Sequence, residues 1–248
     1  MSAKLPKTMK AISQQDLNSF GSLQTPWEDP LAWLTRTANK LRTMWLVWTY
    51  PFPAFGKRAW SHYSCHVSRS AARYISIGRD VALARDVRLD VSAAPGRDSP
   101  ILIVEDRCGL QRRGVYSARN HIHLMRNVIC AHSVLIKDHS GEVGESWPNA
   151  TSHSRETTAG SIRIEEECWI GFGATIVCEQ GELVIGRHSV VGANSVVTCS
   201  IPPYSVVSGN PARIVKQYDF SKGKWVLGCI RPLTVVKRQR TQAADTAL

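Results

Sequence analysis

From Ile77 onward, apolar residues fall six positions apart: Ile77, Leu83 and Leu89, then Val104, Leu110, Tyr116 and Ile122. The beat resumes at Leu124, Cys130 and Ile136, at Ile164, Ile170 and Ile176, and at Ile185, Val191 and Val197. The fifth position of many units is small or β-branched, as at Val81, Val87, Val128, Val134, Ala174, Ser189 and Ser195. The second is often Gly, Ala or acidic, as at Gly78, Ala84, Glu105 and Gly171. A period of six fits neither a helix of 3.6 residues per turn nor a strand alternating every two. It fits a short strand followed by a tight turn, with three such sides closing one coil of a triangular β-solenoid. The leading aliphatic then points inward and stacks on its equivalent one coil away. The small fifth residue fills the corner, where a larger side chain would collide.

Aliphatic pairs mark the coil starts: Ile75/Ile77, Leu102/Val104, Ile122/Leu124, Ile162/Ile164 and Leu183/Ile185. Their spacing predicts coils of about 20 residues. One coil carries an excess of about seven residues near "SAAPGRD", and another an excess of about twenty that begins just after His139. The predicted organisation is an N-terminal helical or irregular segment over 1–60, a β-helix over 61–217 with a loop excursion at 140–160, and an extension over 218–248. Long loops on rigid scaffolds are disproportionately functional, which draws attention to "VLIKDHSGEVGESW", where the beat stops.

Composition changes this picture in three ways. The formal charge of +11 favours anionic partners without choosing among them. No aromatic-basic platform and no helical reading motif is present, so nucleic acid is not an expected partner. The seven cysteines are irregularly spaced, with no C-x-x-C, and read as small buried residues in a reducing compartment. The N-terminus is polar and lacks an apolar leader, and "MWLVWTYPFPAF" is too short to span a bilayer and is broken by Pro51 and Pro53. A cytoplasmic protein is therefore expected. The helix pattern before this run sets Arg36, Lys40 and Arg42 beside Trp45 and Trp48. Such a helix either packs on its own domain or a neighbouring subunit, the favoured reading, or rests on the inner membrane surface as a peripheral contact.

Residues 164–216 are the most specific part of the chain: "IEEECWIGFGATIV", then "IGRHSVVGANSVVTCSIPPYSVVSGNPARIVK". Over roughly 61–217 the sequence resembles the hexapeptide-repeat acyltransferases, in particular the sugar O-acetyltransferases of surface-polysaccharide and nodulation-factor type. The resemblance implies a mainly β chain folded as a left-handed parallel β-helix, usually a homotrimer, using acetyl-CoA and no metal. It implies that His139 in "IKDHSG" is the catalytic histidine. Trp169 and Gly171 match the "WIG" that lines the active-site coil. Ala193 and Thr198 match positions along the pantetheine arm, and Arg213 and Lys216 match basic positions near the nucleotide phosphates. Two departures stand out. Where many relatives read D-H-x-H, the second His is Gly141, and Glu179-Gln180-Gly181 lengthens one coil.

The chemistry fits these residue types. A hydroxyl is too weak an acid to ionise near neutral pH, so a base must take its proton as the new bond forms, and imidazole suits that task. Arg offers a fork for phosphate and Lys a point charge. Asp138 either orients its neighbour or meets solvent and acceptor, and Trp147 and Arg155 in the loop are candidate acceptor contacts. The expected activity is acetyl transfer to a hydroxyl of a sugar or polysaccharide precursor. Rival readings are an N-acetyltransferase of an amino sugar, a non-catalytic solenoid, and a β-helical carbonic anhydrase using His121, His123, His132 and His139.

Overall fold

A computed structural model describes residues 32–93, 97–139 and 159–227. Three parallel sheets form the faces of a triangular prism. Face I holds β1 (Ala54–Phe55), β4 (Ile75–Ile77), β7 (Leu102–Val104), β10 (His121–Leu124), β13 (Ser161–Ile164) and β16 (Glu182–Ile185). Face II holds β2 (Trp60–Ser61), β5 (Ala82–Leu83), β8 (Gly109–Leu110), β11 (Ile129–Cys130), β14 (Trp169–Ile170), β17 (Val190–Val191) and β19 (Ser205–Ser208). Face III holds β3 (His66–Val67), β6 (Arg88–Val91), β9 (Val115–Ala118), β12 (Leu135–Lys137), β15 (Thr175–Val177) and β18 (Val196–Val197). This is the expected mainly β, left-handed parallel β-helix.

The register places the six-residue beat inside the prism. Ile77, Val104, Leu124, Ile164 and Ile185 pair in one column behind face I. Leu83, Leu110, Cys130, Ile170, Val191 and Val207 form a second column. Leu89, Tyr116, Ile136, Ile176 and Val197 form the third. All are buried. Each such aliphatic contributes about 1.5–3 kcal/mol, so stacking of identical positions supplies the driving force. The corners explain the small fifth residues. The residue before each takes a left-handed conformation, at Asp80, Asp86, Asn127, Ser133, His188 and Asn194 among others. Asp and Asn tolerate that region better than most residues, and the chain then turns too tightly for a bulky neighbour. Where Tyr116 replaces an aliphatic, the corner position is Gly114, on which a Cβ would lie 2.9 Å from the Tyr116 ring.

The ends depart from the sequence boundaries. The first rung is β1, inside the segment assigned to 1–60, because β1 already pairs with β4. Before it, α1 (Ala32–Thr49) packs beside β2: Ser61 N–H donates to Thr43 Oγ1 at 3.0 Å, Tyr63 N–H donates to Asn39 Oδ1 at 2.9 Å, and Leu46 is buried. At the other end β20 (Arg213–Asp219) reverses direction against β19, and β21 (Lys224–Leu227) pairs with it in turn. The extension from 218 thus continues the sheet of face II. Gly209, at φ +105°, allows the reversal, and Ala212 N–H donates to the Val196 carbonyl at 2.8 Å, closing the last coil.

Candidate functional site

The face III strand of the fourth coil ends at Lys137, and the next two residues build the site. Asp138 is fully buried and His139 nearly so, at 0% and 7% exposed. Both carboxylate oxygens of Asp138 accept hydrogen bonds. Arg119 N–H reaches Oδ1 at 2.8 Å, while Asn120 and His121 N–H each reach Oδ2 at 2.8 Å. His139 Nδ1 lies 3.0 Å from Oδ1. A carboxylate only accepts, so Nδ1 carries a proton toward Asp138, and in the neutral ring that tautomer leaves the lone pair on Nε2. The backbone that grips Asp138 is the corner of the preceding coil, set there because Leu135–Lys137 pairs with Val115–Ser117.

The same corner anchors the long loop. His139 and Ala159 form an isolated antiparallel bridge, Gly160 N–H donates to the Asp138 carbonyl at 2.7 Å, and Asn120 Nδ2 donates to the Gly160 carbonyl at 2.9 Å. The loop therefore leaves and returns within two residues of the imidazole. Residues 140–158, with Trp147 and Arg155, lie outside the described residues.

His139 lines a cleft of about 270 Å³ with Ser68, Asp90, Ser92, Ser117 and Arg119. Ser68 caps α2 (Arg69–Ala72), its Oγ accepting from Ala71 N–H at 3.2 Å. Arg88 Nε lies 3.4 Å from Asp90. Nearby His121 is held below the usual histidine range, chiefly by burial and then by His123 and Arg97. The sequence reading did not single out these lining residues. One signal was available: counting back one coil of about 20 residues from Lys137 and His139 leads to Ser117 and Arg119, and counting back the longer coil from Ser117 leads to Asp90.

The resemblance-based positions divide between two corners. Thr198 follows β18 at the corner between faces III and I, the corner that carries His139 two coils earlier, and it is exposed. Gly171 and exposed Ala193 sit at the corner between faces II and III. Arg213, half-buried, opens β20 opposite Ser208 beside that same corner, and Lys216 is exposed on β20. Trp169 is half-buried on the outside of face II, its neighbour Ile170 facing the core. Gly171 has a packing reason of its own: a Cβ would stand 2.6 Å from the Val191 carbonyl of the next coil. Asp138 is the one candidate the structure reassigns. Its burial removes it from any acceptor, and its contacts make it the residue that orients His139.

Several other reactive groups among the described residues are buried or paired. Burial pushes the Cys130 and Cys168 thiols up to about 12, which leaves them protonated and poor nucleophiles near neutral pH. His123 Nε2 lies 2.8 Å from Glu105, and His188 Nδ1 lies 3.1 Å from Glu167 while its ring stacks on Tyr204. No cluster of three or more metal-ligating side chains occurs among the described residues. No helix among them is long and apolar enough to cross a membrane.

No family model matches the chain. It is 27% identical over 168 residues to a protein of Escherichia coli (strain K12) whose provisional name is lipopolysaccharide biosynthesis O-acetyl transferase WbbJ, covering 66% of this chain and 81% of that one. It is 44% identical over 61 residues to the provisionally named acetyltransferase SACOL2570 of Staphylococcus aureus (strain COL), a match spanning 29% of that protein. The fold superposes on AntD, an N-acyltransferase from Bacillus cereus solved in complex with dTDP and 3-hydroxybutyryl-CoA, with a TM-score of 0.54 at 17% identity over 69% of this chain and 86% of that one.

Proposed function

We propose that this chain is a hexapeptide-repeat acyltransferase that moves the acetyl group of acetyl-CoA to a hydroxyl of a sugar or polysaccharide precursor. The observation that carries the reading is the buried Asp138–His139 pair opening onto a hydroxyl-lined cleft at the foot of the long loop. In this reading the acceptor enters the cleft of Ser68, Ser92 and Ser117, groups suited to a polyhydroxylated ligand. His139 Nε2 takes the hydroxyl proton as the oxygen attacks the thioester carbonyl. The carbon–sulfur bond then breaks and the imidazolium returns its proton to the departing thiolate, leaving acetyl ester and CoA. Asp138 holds the ring and steadies its transient charge. Arg213 and Lys216 serve the nucleotide phosphates, the half-buried guanidinium as a fork and the exposed ammonium as a point charge.

The assembly in this reading is a homotrimer. Face II carries a row without charged or polar side chains through Trp60, Ala82, Gly109, Ile129, Trp169, Val190 and Val206, one residue per coil. Cyclic association buries such a row, and it brings unlike corners of neighbouring copies together.

The test is acetyl transfer from labelled acetyl-CoA to a panel of glycans and sugar nucleotides, with products read by mass spectrometry. His139→Ala is expected to lower kcat by about 10²–10⁴-fold with little change in the KM for acetyl-CoA. Product that is alkali-labile identifies an ester. An alkali-stable amide on an amino sugar would replace the O-acetyl reading with N-acetyl transfer, and undiminished turnover in His139→Ala would remove the histidine from the mechanism.

A further inference from the structure

α1 attaches to the solenoid through its polar side. Asn39 and Thr43 supply the hydrogen bonds to Tyr63 and Ser61, and Leu46 is its buried apolar residue among those described. The opposite side is mainly apolar and exposed. Leu34, Leu41 and Trp48 follow one another at seven-residue spacing and are 53%, 61% and 86% exposed, with Met44 and Trp45 beside them. At 3.6 residues per turn these five fall on one stripe. Arg36 and Lys40 flank one edge. Arg42 flanks the other, its guanidinium 4.7 Å from the centre of the Trp45 ring. No acidic residue occurs between 32 and 49.

We propose that this stripe docks on an anionic membrane surface. An amphipathic helix with aromatic and aliphatic residues on one side and only cations along its edges lies in the headgroup layer, where tryptophan prefers to sit. Charge decides against a second copy as the occupant. Seven-residue spacing also suits a helix seam, but two such stripes would bring Lys40 and Arg42 of each helix together, and no carboxylate lies between 32 and 49 to offset them. Anionic lipid supplies negative charge, and the whole chain, at +11, adds to the attraction. α1 packs on β2, and Ser68 of the cleft follows β3 in the same coil. Docking therefore brings the cleft end of the solenoid toward the lipid. If the proposed function holds, this favours an acceptor sugar carried at a membrane surface.

The experiment is flotation of the full chain with vesicles of phosphatidylcholine alone or mixed with phosphatidylglycerol. Binding to the anionic vesicles is expected to exceed binding to neutral ones by roughly tenfold or more and to weaken with salt. The pair Leu41→Glu and Trp48→Glu should abolish it with circular dichroism and assembly mass unchanged. Arg36→Glu with Lys40→Glu should erase the anionic preference, and this pair keeps the test open should the first not fold. Acetyl transfer to a soluble acceptor should be unchanged in both, which separates a failure here from a failure of the proposed reaction. Absence of flotation would overturn the proposal. So would flotation that survives the stripe substitutions, which would point to another part of the chain. A changed assembly mass in those variants would make the stripe a contact between copies.

Discussion

At the scale of single residues, the site turns on a carboxylate that meets no substrate. Asp138 accepts three backbone N–H groups and faces the His139 ring, so it has two jobs that substitution can separate. Asp138→Asn keeps the volume but turns a donor toward donors and frees the imidazole to adopt the other tautomer. Its kcat is expected to fall by at least about 10²-fold with the KM for acetyl-CoA nearly unchanged. Asp138→Ala leaves the three N–H groups short of a partner and should cost about 2–4 kcal/mol in denaturant unfolding as well. A variant that lost stability but kept its turnover would make Asp138 a purely structural residue. This division was hidden in the sequence for a physical reason. His139 shows itself as the place where the apolar beat ends. The partners of Asp138 are backbone donors of the preceding coil, and backbone donors leave no mark in the choice of side chain.

At the scale of the coil, glycine separates two kinds of position. On Gly171 a Cβ would lie 2.6 Å from the Val191 carbonyl and 2.8 Å from Ala193 N, both backbone atoms of the next coil that cannot step aside. On Gly109 in β8 the nearest atom would be 3.9 Å away. Gly171→Ala is therefore expected to destabilise by about 1–3 kcal/mol, a fall of several degrees in Tm, while Gly109→Ala should be neutral or stabilising by up to about 1 kcal/mol. Equal thermal shifts for the two would contradict the stacking register. That register was legible in advance because every coil repeats the same demand: Ile164, Ile170 and Ile176 announce three faces in thirteen residues, and four other coils say it again. Legibility failed where the demand is not repeated. β1 and β2 are two-residue strands with exposed Ala54 and Trp60, so nothing in their pattern separates a first rung from a linker. The orientation of α1 was equally hidden, because its docking side is the polar one and the usual inference from an apolar stripe to a buried face runs the wrong way.

At the scale of the whole molecule, the positions assigned to the donor divide between two corners, and of them Thr198 shares the corner of the base. Gly171, Ala193 and Arg213 gather at the corner between faces II and III, whereas His139 and its cleft occupy the corner between faces III and I. A cyclic assembly joins unlike surfaces of identical chains, so one copy's donor corner can stand beside its neighbour's histidine, with the apolar row of face II covered in the process. Two measurements follow. Light scattering should give a mass of three chains, and Trp169→Glu with Val190→Glu, charges placed in the middle of that row, should dissociate it. The sharper result comes from mixing. His139→Ala chains and chains carrying Arg213→Ala with Lys216→Ala should each be poorly active alone. Co-refolded, they should recover activity, because some grooves then combine an intact histidine from one chain with intact cations from the next. Activity confined to the sum of the two separate preparations would place donor and base on the same chain, and the pantetheine arm would then have to cross face III from the Arg213 corner to reach His139.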